Sequence, residues 1–314
     1  MNRLLILCLA TIACGSDDKP VEPPVDAPVD APVDGPGAIV DAPPPLLCPQ
    51  SYGPATIIQE FFIPRGTSAA FDLDGDGVPD NHLSSIEETI NLLSASDIAT
   101  GAFRVSLELQ MLDDTDFVDD LDIVVGGYIA IDMDTPIDPY DDFTSFEPFY
   151  FSRDFVSNPD CVPFTLFSGD LTGGTITGSP DRLVIPFGSI ESLTLERSRV
   201  DLRISPSGSG YAITFGRLGG VLSTCELSRV ASPVGNSLLW SLVQLKKQPD
   251  IDMDEDGLES IETNGLGGIR GCTDGDGTVI SSSDCACNSQ ISDGYSVVFI
   301  VRSVGARLLG PVPE

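Results

Sequence analysis

FRVSLELQM, residues 103 to 111, sets Phe103, Val105, Leu107, Leu109 and Met111 on one side of an extended chain and Arg104, Ser106, Glu108 and Gln110 on the other. Successive side chains leave a pleated backbone on opposite faces, so strict alternation is the period of a half-buried strand. LDIVVGGYIAID (121–132), RLVIPF (182–187) and YAITFG (211–216) read the same way. In LTLERSRVDLRIS (193–205) the apolar parity changes, from odd positions Leu193 and Leu195 to even positions Val200, Leu202 and Ile204. A bulge or tight turn near Ser198 would restore the pattern. YSVVFIVRSV (295–304) is apolar on both faces, as expected of a central strand. Gly, Pro, Asp and Ser separate these runs. The expectation is a mainly β domain, sandwich-like or of a related two-layer design.

Two short helices interrupt the strands. Ser84 or Ser85 followed three residues on by Glu87 or Glu88 predicts a capping box, with Ile86, Ile90 and Leu93 sharing one face. A second helix is expected from about Asn236 through LLWSLVQLKK, with Lys246 and Lys247 at its carboxyl end and Pro249 as its stop. A strong strand follows the last acidic clusters, so the chain is expected to return to the sheet and form a single domain with insertions.

The 314 residues can bury a sizeable core, and a 41% hydrophobic fraction is ordinary. The charge is not: 48 acidic against 16 basic residues leave a formal −32. Nucleic acid and anionic lipid both need a basic face, so neither is expected as a partner. Many of the acids stand in tight D-x-D clusters, a pattern that solubility alone does not require.

Met1-Asn2-Arg3 followed by LLILCLATIA (4–13) combines a positive start with an apolar run too short to span a bilayer, which takes ~20 residues. Residues 1–13 read as a secretory signal. Thr11-Ile12-Ala13-Cys14 resembles the lipobox of bacterial lipoproteins, although leucine is usual where Thr11 stands. The resemblance implies cleavage before Cys14 and a diacylglyceryl group on that cysteine. GSDDKPVEPPVDAPVDAPVDGPGAIVDAPPP follows, with PVDA, PVDA and PVDG units. Such a segment cannot bury apolar area and is expected to be an extended spacer over 14–47. It is similar to the Pro-Asp-Ala tethers of surface lipoproteins from Gram-negative bacteria. That likeness implies an exported outer-membrane lipoprotein, touching the membrane through its anchor alone, with residues 48–314 as the extracellular domain.

Cys8 would leave with the signal and Cys14 would carry lipid. Cys48, Cys161, Cys225, Cys272, Cys285 and Cys287 remain, an even set in an oxidising compartment. Sequence cannot choose among their pairings; the expected ones are Cys161 with Cys225, and Cys272 with either Cys285 or Cys287. A zinc site is disfavoured, because His82 is the sole histidine and no pair of C-x-x-C knuckles exists.

FDLDGDGVPDN (71–81) places Asp72, Asp74 and Asp76 at alternate positions, Gly77 next, Val78 beyond it and Asp80 two further on. Alternate carboxylates in a tight turn point inward, and the Val78 carbonyl can join them. Like charges so placed are tolerable around a hard, oxygen-seeking cation. DMDEDGLESIE (252–262) repeats the order with Asp252, Asp254, Asp256, Gly257 and Leu258. CTDGDGTVISSSDC (272–285) holds half a loop, Asp274, Asp276 and Gly277, with Asp284 near its end. The D-x-D-x-D-G cores resemble the calcium loops of EF-hand-like proteins of the thrombospondin type 3 and dockerin branch. The resemblance implies two Ca2+ sites, with a third at the weaker cluster. Position twelve, normally a bidentate acid, is Leu83 in the first loop and Thr263 in the second. Glu262 is the candidate substitute in the second. Affinity is expected in the extracellular class, with Kd around 10⁻⁴ M.

FDLDG also matches the opening of the haloacid-dehalogenase phosphatase motif, which would make Asp72 and Asp74 catalytic with magnesium. PRGTSAA before Phe71 is not the buried apolar strand that such a nucleophile needs, and Asp76 stands in place of the usual threonine. G-x-S-x-G, H-E-x-x-H and phosphate-cradling glycine loops are absent from the sequence. Two functions are carried forward. One is a binding or adhesive surface module with structural calcium and a surface protein or glycan as ligand. The other is a calcium-dependent hydrolase acting on carbohydrate through paired carboxylates.

Overall fold

The computed structural model describes residues 48–49, 51–113, 116–133, 142–144, 147–157, 161–187, 190–231, 237–264 and 268–313. The expected signal and tether, including Cys14, lie outside the described residues. Strand β1 (Ala55–Phe62) leads through an acidic loop and a 3-10 turn (His82–Ile86) to helix α1 (Glu87–Ala99). Then follow β2 (Val105–Gln110), β3 (Asp120–Ile131), the short β4 (Pro148–Phe151), β5 (Val156–Ser157) and β6 (Val162–Pro163). β7 (Thr165–Thr172), β8 (Thr175–Gly178) and β9 (Arg182–Phe187) precede the long hairpin β10 (Ile190–Ser207) and β11 (Gly210–Ser223). Helices α2 (Thr224–Arg229) and α3 (Leu238–Gln244) come next. The small sheet β12 (Ser260–Thr263), β13 (Ile269–Thr273) and β14 (Val279–Ile280) precedes the 18-residue β15 (Gly294–Pro311).

The chain is mainly β, as its alternation predicts. The two expected layers are joined along their edges. β1, β2, β3, β7, β8, β10, β11 and β15 pair in that order, all antiparallel, and β15 pairs again with β1. The sheet therefore closes into a barrel, which leaves no edge in that ring open to another chain. An eight-stranded barrel is narrow enough for side chains to fill. Phe61 stacks on Phe299 with centroids 4.5 Å apart, and Phe103 lies 5.3 Å from Phe61.

β15 is the central strand that its two apolar faces announce. Its first half pairs with β11 (Gly216↔Val301 to Ser223↔Gly294) and its second with β1 (Phe62↔Ile300 to Ala55↔Ala306). The parity change in β10 is a bulge, with the register to β11 shifting between Glu196 and Arg199 and Arg197 at φ +48°. Before it the strand pairs with β9, after it with β8. The bulge lets Leu193, Leu195, Val200, Leu202 and Ile204 all reach the main core.

The polar face of β2 is not open to solvent. Ser106 and Glu108 are buried. Glu108 accepts bonds from Gly53 N (2.5 Å), Gln110 Nε2 (2.9 Å) and Tyr128 Oη (3.0 Å), which satisfies a carboxylate that burial would otherwise penalise. The capping box at Ser84 or Ser85 does not form. Those residues belong to the 3-10 turn, Ser85 Oγ donates back to His82 O (3.0 Å), and no side chain caps α1. Ile90 and Ile98 of α1 enter the main core. α3 starts at Leu238, capped by Ser237 Oγ, which accepts from Trp240 N (3.2 Å), and Lys246 and Lys247 lie past its end. α2 was not expected. Ser223, the last residue of β11, turns the strand directly into a helix by accepting from Glu226 N (3.1 Å).

The disulfides are Cys48–Cys161, Cys225–Cys287 and Cys272–Cys285. The expected Cys161–Cys225 pair is wrong. Cys225 lies in the first turn of α2, which packs on the 3-10 turn Cys285–Cys287, whereas Cys161 stands just before β6 and is joined to Cys48, ahead of β1. Cys272 takes Cys285, one of its two expected partners.

Candidate metal centres

The first acidic loop runs between β1 and α1, its base closed by a bridge between Phe71 and Asp80 (Asp80 N to Phe71 O, 2.7 Å). Asp72 folds it. Its Oδ1 accepts from Gly75 N (2.7 Å) and its Oδ2 from Gly77 N (3.0 Å), with both glycines in left-handed backbone at φ +84° and +87°. That conformation strains residues with a Cβ, which explains the glycines. Asp74 Oδ1 accepts from Asp76 N (3.0 Å), Asp76 Oδ1 from Val78 N (2.7 Å), and Asp80 Oδ2 reaches back to Leu73 N (2.7 Å).

The second loop, between α3 and β12, repeats this geometry. Asp252 Oδ1 accepts from Glu255 N (2.6 Å) and Oδ2 from Gly257 N (3.0 Å), and Glu255 and Gly257 carry positive φ. Here the bond that Asp80 makes to Leu73 is supplied from far along the chain, by Asp293 Oδ1 accepting from Met253 N (3.2 Å). Ile251, the counterpart of Phe71, bridges to Gly294. The two loops also share a small core: Leu73, Val221 and Ile251 are buried together, with Phe71 and Met253 packed on them. The residues between the aspartates therefore anchor both loops while the carboxylates turn outward.

Asp72, Asp74 and Asp80 each offer an oxygen within 4.8 Å of the others, and so do Asp252, Asp254 and Asp256. Asp76 is not in the first trio; its carboxylate is turned to the Val78 amide. The side chains of Val78 and Leu258 are exposed, consistent with a contribution through their carbonyls only. Glu262 lies exposed on β12, outside the second trio. Asp274 is buried and bonds Thr278 N (2.6 Å), while Asp276 and Asp284 are exposed, Asp284 just before the Cys285–Cys287 turn. Clusters two and three are in contact: a Cβ on Gly275 would stand 2.2 Å from Gly257 O and 2.4 Å from Asp256 Oδ1.

The electrostatics follow from this crowding. Asp256 is raised above the usual carboxylate range by desolvation and then by Asp254, Asp276, Asp274 and Asp252. Asp80 is raised by burial, with Asp74, Asp250 and Asp76 adding to it against the Leu73 hydrogen bond. Sequence reasoning missed a pair beneath the second loop. Glu259 and Asp293 are both buried; Asp293 Oδ2 accepts from Glu259 N (2.7 Å), and Glu259 accepts from Ser292 N (2.7 Å) and Asp293 N (3.1 Å). Burial pushes Glu259 to about 8 and Asp293 to about 6, against those amide bonds. Glu259 could have been flagged as an acid inside the DGLESIE run. No spacing rule links Asp293 to Asp252.

An all-oxygen donor set with no histidine or cysteine suits a hard divalent cation. Other chemistry finds less support. Ser296 Oγ donates to Asp250 Oδ2 (2.5 Å), not to His82, and Ser296 is fully buried, so the Ser296–Asp250–His82 cluster holds no base-activated nucleophile. Burial lowers the His82 pKa against the pull of Asp250. Asp72 lies in an exposed loop with both oxygens on amides, unlike a nucleophile presented by a parallel strand; the parallel pairing among the described residues is β4 with β15. No family model, curated protein or solved structure matches this chain.

Proposed function

We propose that this protein is an exported, lipid-anchored binding module whose extracellular domain is braced by calcium. One observation carries the calcium reading. Two D-x-D-x-D-G loops far apart in sequence fold with the same Asp-to-amide bonds and seat their intervening apolar residues in one shared cluster. Asp72, Asp74 and Asp80 would hold one ion and Asp252, Asp254 and Asp256 another, with Asp274 and Asp276 adding charge beside the second. The ions would cancel repulsion among carboxylates that the fold has already gathered. Export, lipidation at Cys14 and the spacer role of 14–47 rest on the lipobox-like start and the PVDA repeats. Three disulfides fit an oxidising compartment.

The hydrolase alternative asks for a cleft holding two carboxyls of raised pKa. Glu259 and Asp293 are raised to about 8 and 6, yet they are sealed under the second loop with backbone amides on their oxygens, and no observation favours that alternative.

Thermal unfolding in chelator, in calcium and in magnesium tests the proposal. With Kd near 10⁻⁴ M, ~10 mM calcium stabilises by about 2.7 kcal/mol per site, a rise in Tm of roughly 5–10 °C each. Asp72→Ala and Asp252→Ala should each remove about one site's share. A melting curve identical in chelator and calcium would reduce the loops to amide-braced turns.

A further inference from the structure

The outer face of the barrel beside the first loop carries an open groove of about 600 Å³, within the range of ligand sites. Its floor is the sheet itself. Strand registers place Arg217 of β11 opposite Asp201 of β10, Asp201 opposite Thr177 of β8, and Thr177 opposite Asp170 of β7. This polar row crosses three strand spacings, about 14 Å. Arg199, one outward-facing position before Asp201 on β10, begins a second row, and Asp122 of β3 completes the rim.

Part of this surface is fixed and part is unused. Arg217 pairs with Asp201, donates to Ala69 O (3.4 Å) and lies 4.6 Å over the Phe71 ring. Phe71 in turn fits because Gly219 has no side chain: a Cβ would come within 2.4 Å of the ring. Phe71 thus walls one end of the groove, one residue before Asp72 of the first metal loop. Asp122, Asp170, Thr177 and Arg199 make no side-chain hydrogen bond or ion pair among the described residues. On a surface this acidic, an unpaired arginine set among unpaired acceptors is the arrangement that hydroxyl groups match, because each hydroxyl both donates and accepts.

We propose that this face is a binding site for an uncharged oligosaccharide, laid across β7, β8, β10 and β11 with Arg199 donating to sugar oxygens and Asp170 and Asp122 accepting from sugar hydroxyls. It deepens the binding-module reading and rests on it, but does not need the metal sites to be filled. Other ligands fit less well. A polyanion meets Asp122, Asp170 and Asp201, and a cationic peptide meets Arg199. A peptide added as a strand finds no edge, because β8 is hydrogen-bonded on both sides.

The test is titration calorimetry of the purified protein with neutral tetrasaccharides of glucose, galactose and N-acetylglucosamine, and with dextran sulfate and inorganic phosphate as anionic probes. At least one neutral probe should bind, and Arg199→Ala and Asp170→Ala should each weaken it by about tenfold or more, as loss of a charge-assisted hydrogen bond implies. Both changes are at exposed positions and should leave the melting temperature unchanged. Arg203→Ala, one row further along β10, should bind normally. The proposal is overturned if no neutral probe binds, if only the anionic probes bind, or if both groove variants bind like the parent. Glycan binding by a protein whose melting ignores calcium supports the groove and removes the metal reading. Calcium stabilisation without glycan binding does the reverse.

Discussion

Glu259 and Asp293 illustrate how two buried carboxyls can shape the pH response of this molecule. In the folded protein the Glu259 carboxyl releases its proton near 8 and Asp293 near 6, both pushed up by burial. In the unfolded chain both would release theirs at the ordinary carboxylate pKa, near 4. Between these values the folded state holds more protons than the unfolded one, so stability is full below about pH 4 and declines as pH rises toward 8. Metal-free protein should therefore lose on the order of a few kcal/mol between pH 5 and pH 8, roughly. Glu259→Gln should flatten that slope in denaturant titrations run across the same pH range. It should also cost a hydrogen bond at every pH, since Gln cannot accept from both Ser292 N and Asp293 N with its amide nitrogen. A slope unchanged by the substitution would move the titration elsewhere. At this scale the sequence showed the gathered aspartates of each loop because they are neighbours in the chain. Asp293 was illegible because only the return of the chain into β15 brings it to Met253.

The elements divide by how local their causes are. The bulge in β10 was legible to within a residue, since the core face of a strand leaves a period-two trace and a break in parity has few structural meanings. Its importance can be measured by deleting Arg197. Removing one residue takes away the extra position: Leu193, Leu195, Val200, Leu202 and Ile204 then alternate without a break, the shift in pairing to β11 between Glu196 and Arg199 disappears, and all five stay inward. The burial of these side chains, about 1.5–3 kcal/mol for each, is kept, so the expected loss is only about 1–2 kcal/mol, from the bend that the bulge gives the strand. Near-UV circular dichroism should then keep its fixed aromatic signal; a deletion variant that loses it would mean that the bulge itself, and not the alternation of β10, holds the core. Helix starts were read less well. S-x-x-E at 84–88 has the composition of a capping box, but the 3-10 turn claims it. Ser223 to Glu226 does cap a helix, and was overlooked because β11 runs directly into it.

At the scale of the whole molecule, strands and their faces were legible and their closure was not. Alternation tells which residues face a core, not which strand lies beside which, so a two-layer expectation and a closed barrel share one sequence pattern. The same limit applies to the disulfides. Cys225–Cys287 spans 62 residues and Cys272–Cys285 spans 13, and both tie the insertion with its acidic loops back to α2 and to itself. Chain entropy assigns the longer bridge about 4 kcal/mol. The double change Cys225→Ser with Cys287→Ser should lower stability by about 2–4 kcal/mol and weaken whatever calcium response the second loop has, leaving the first loop's share intact. Non-reducing peptide maps that recover Cys161 joined to Cys225 would contradict this arrangement directly.

The seam between β1 and β15 also sets a timetable. Thr56 Oγ1 donates to Val304 O (2.6 Å) and is hydrogen-bonded with Ser303 Oγ (2.5 Å), partners 248 and 247 residues away along the chain. A ribosome or a translocation channel delivers residue 56 long before residue 303, and until then β1 has only β2 beside it. The barrel cannot be finished in pieces as the chain emerges. The polypeptide must wait, open-edged, for its last strand, and the interval before closure is the time when β1 and β11 can pair with another chain.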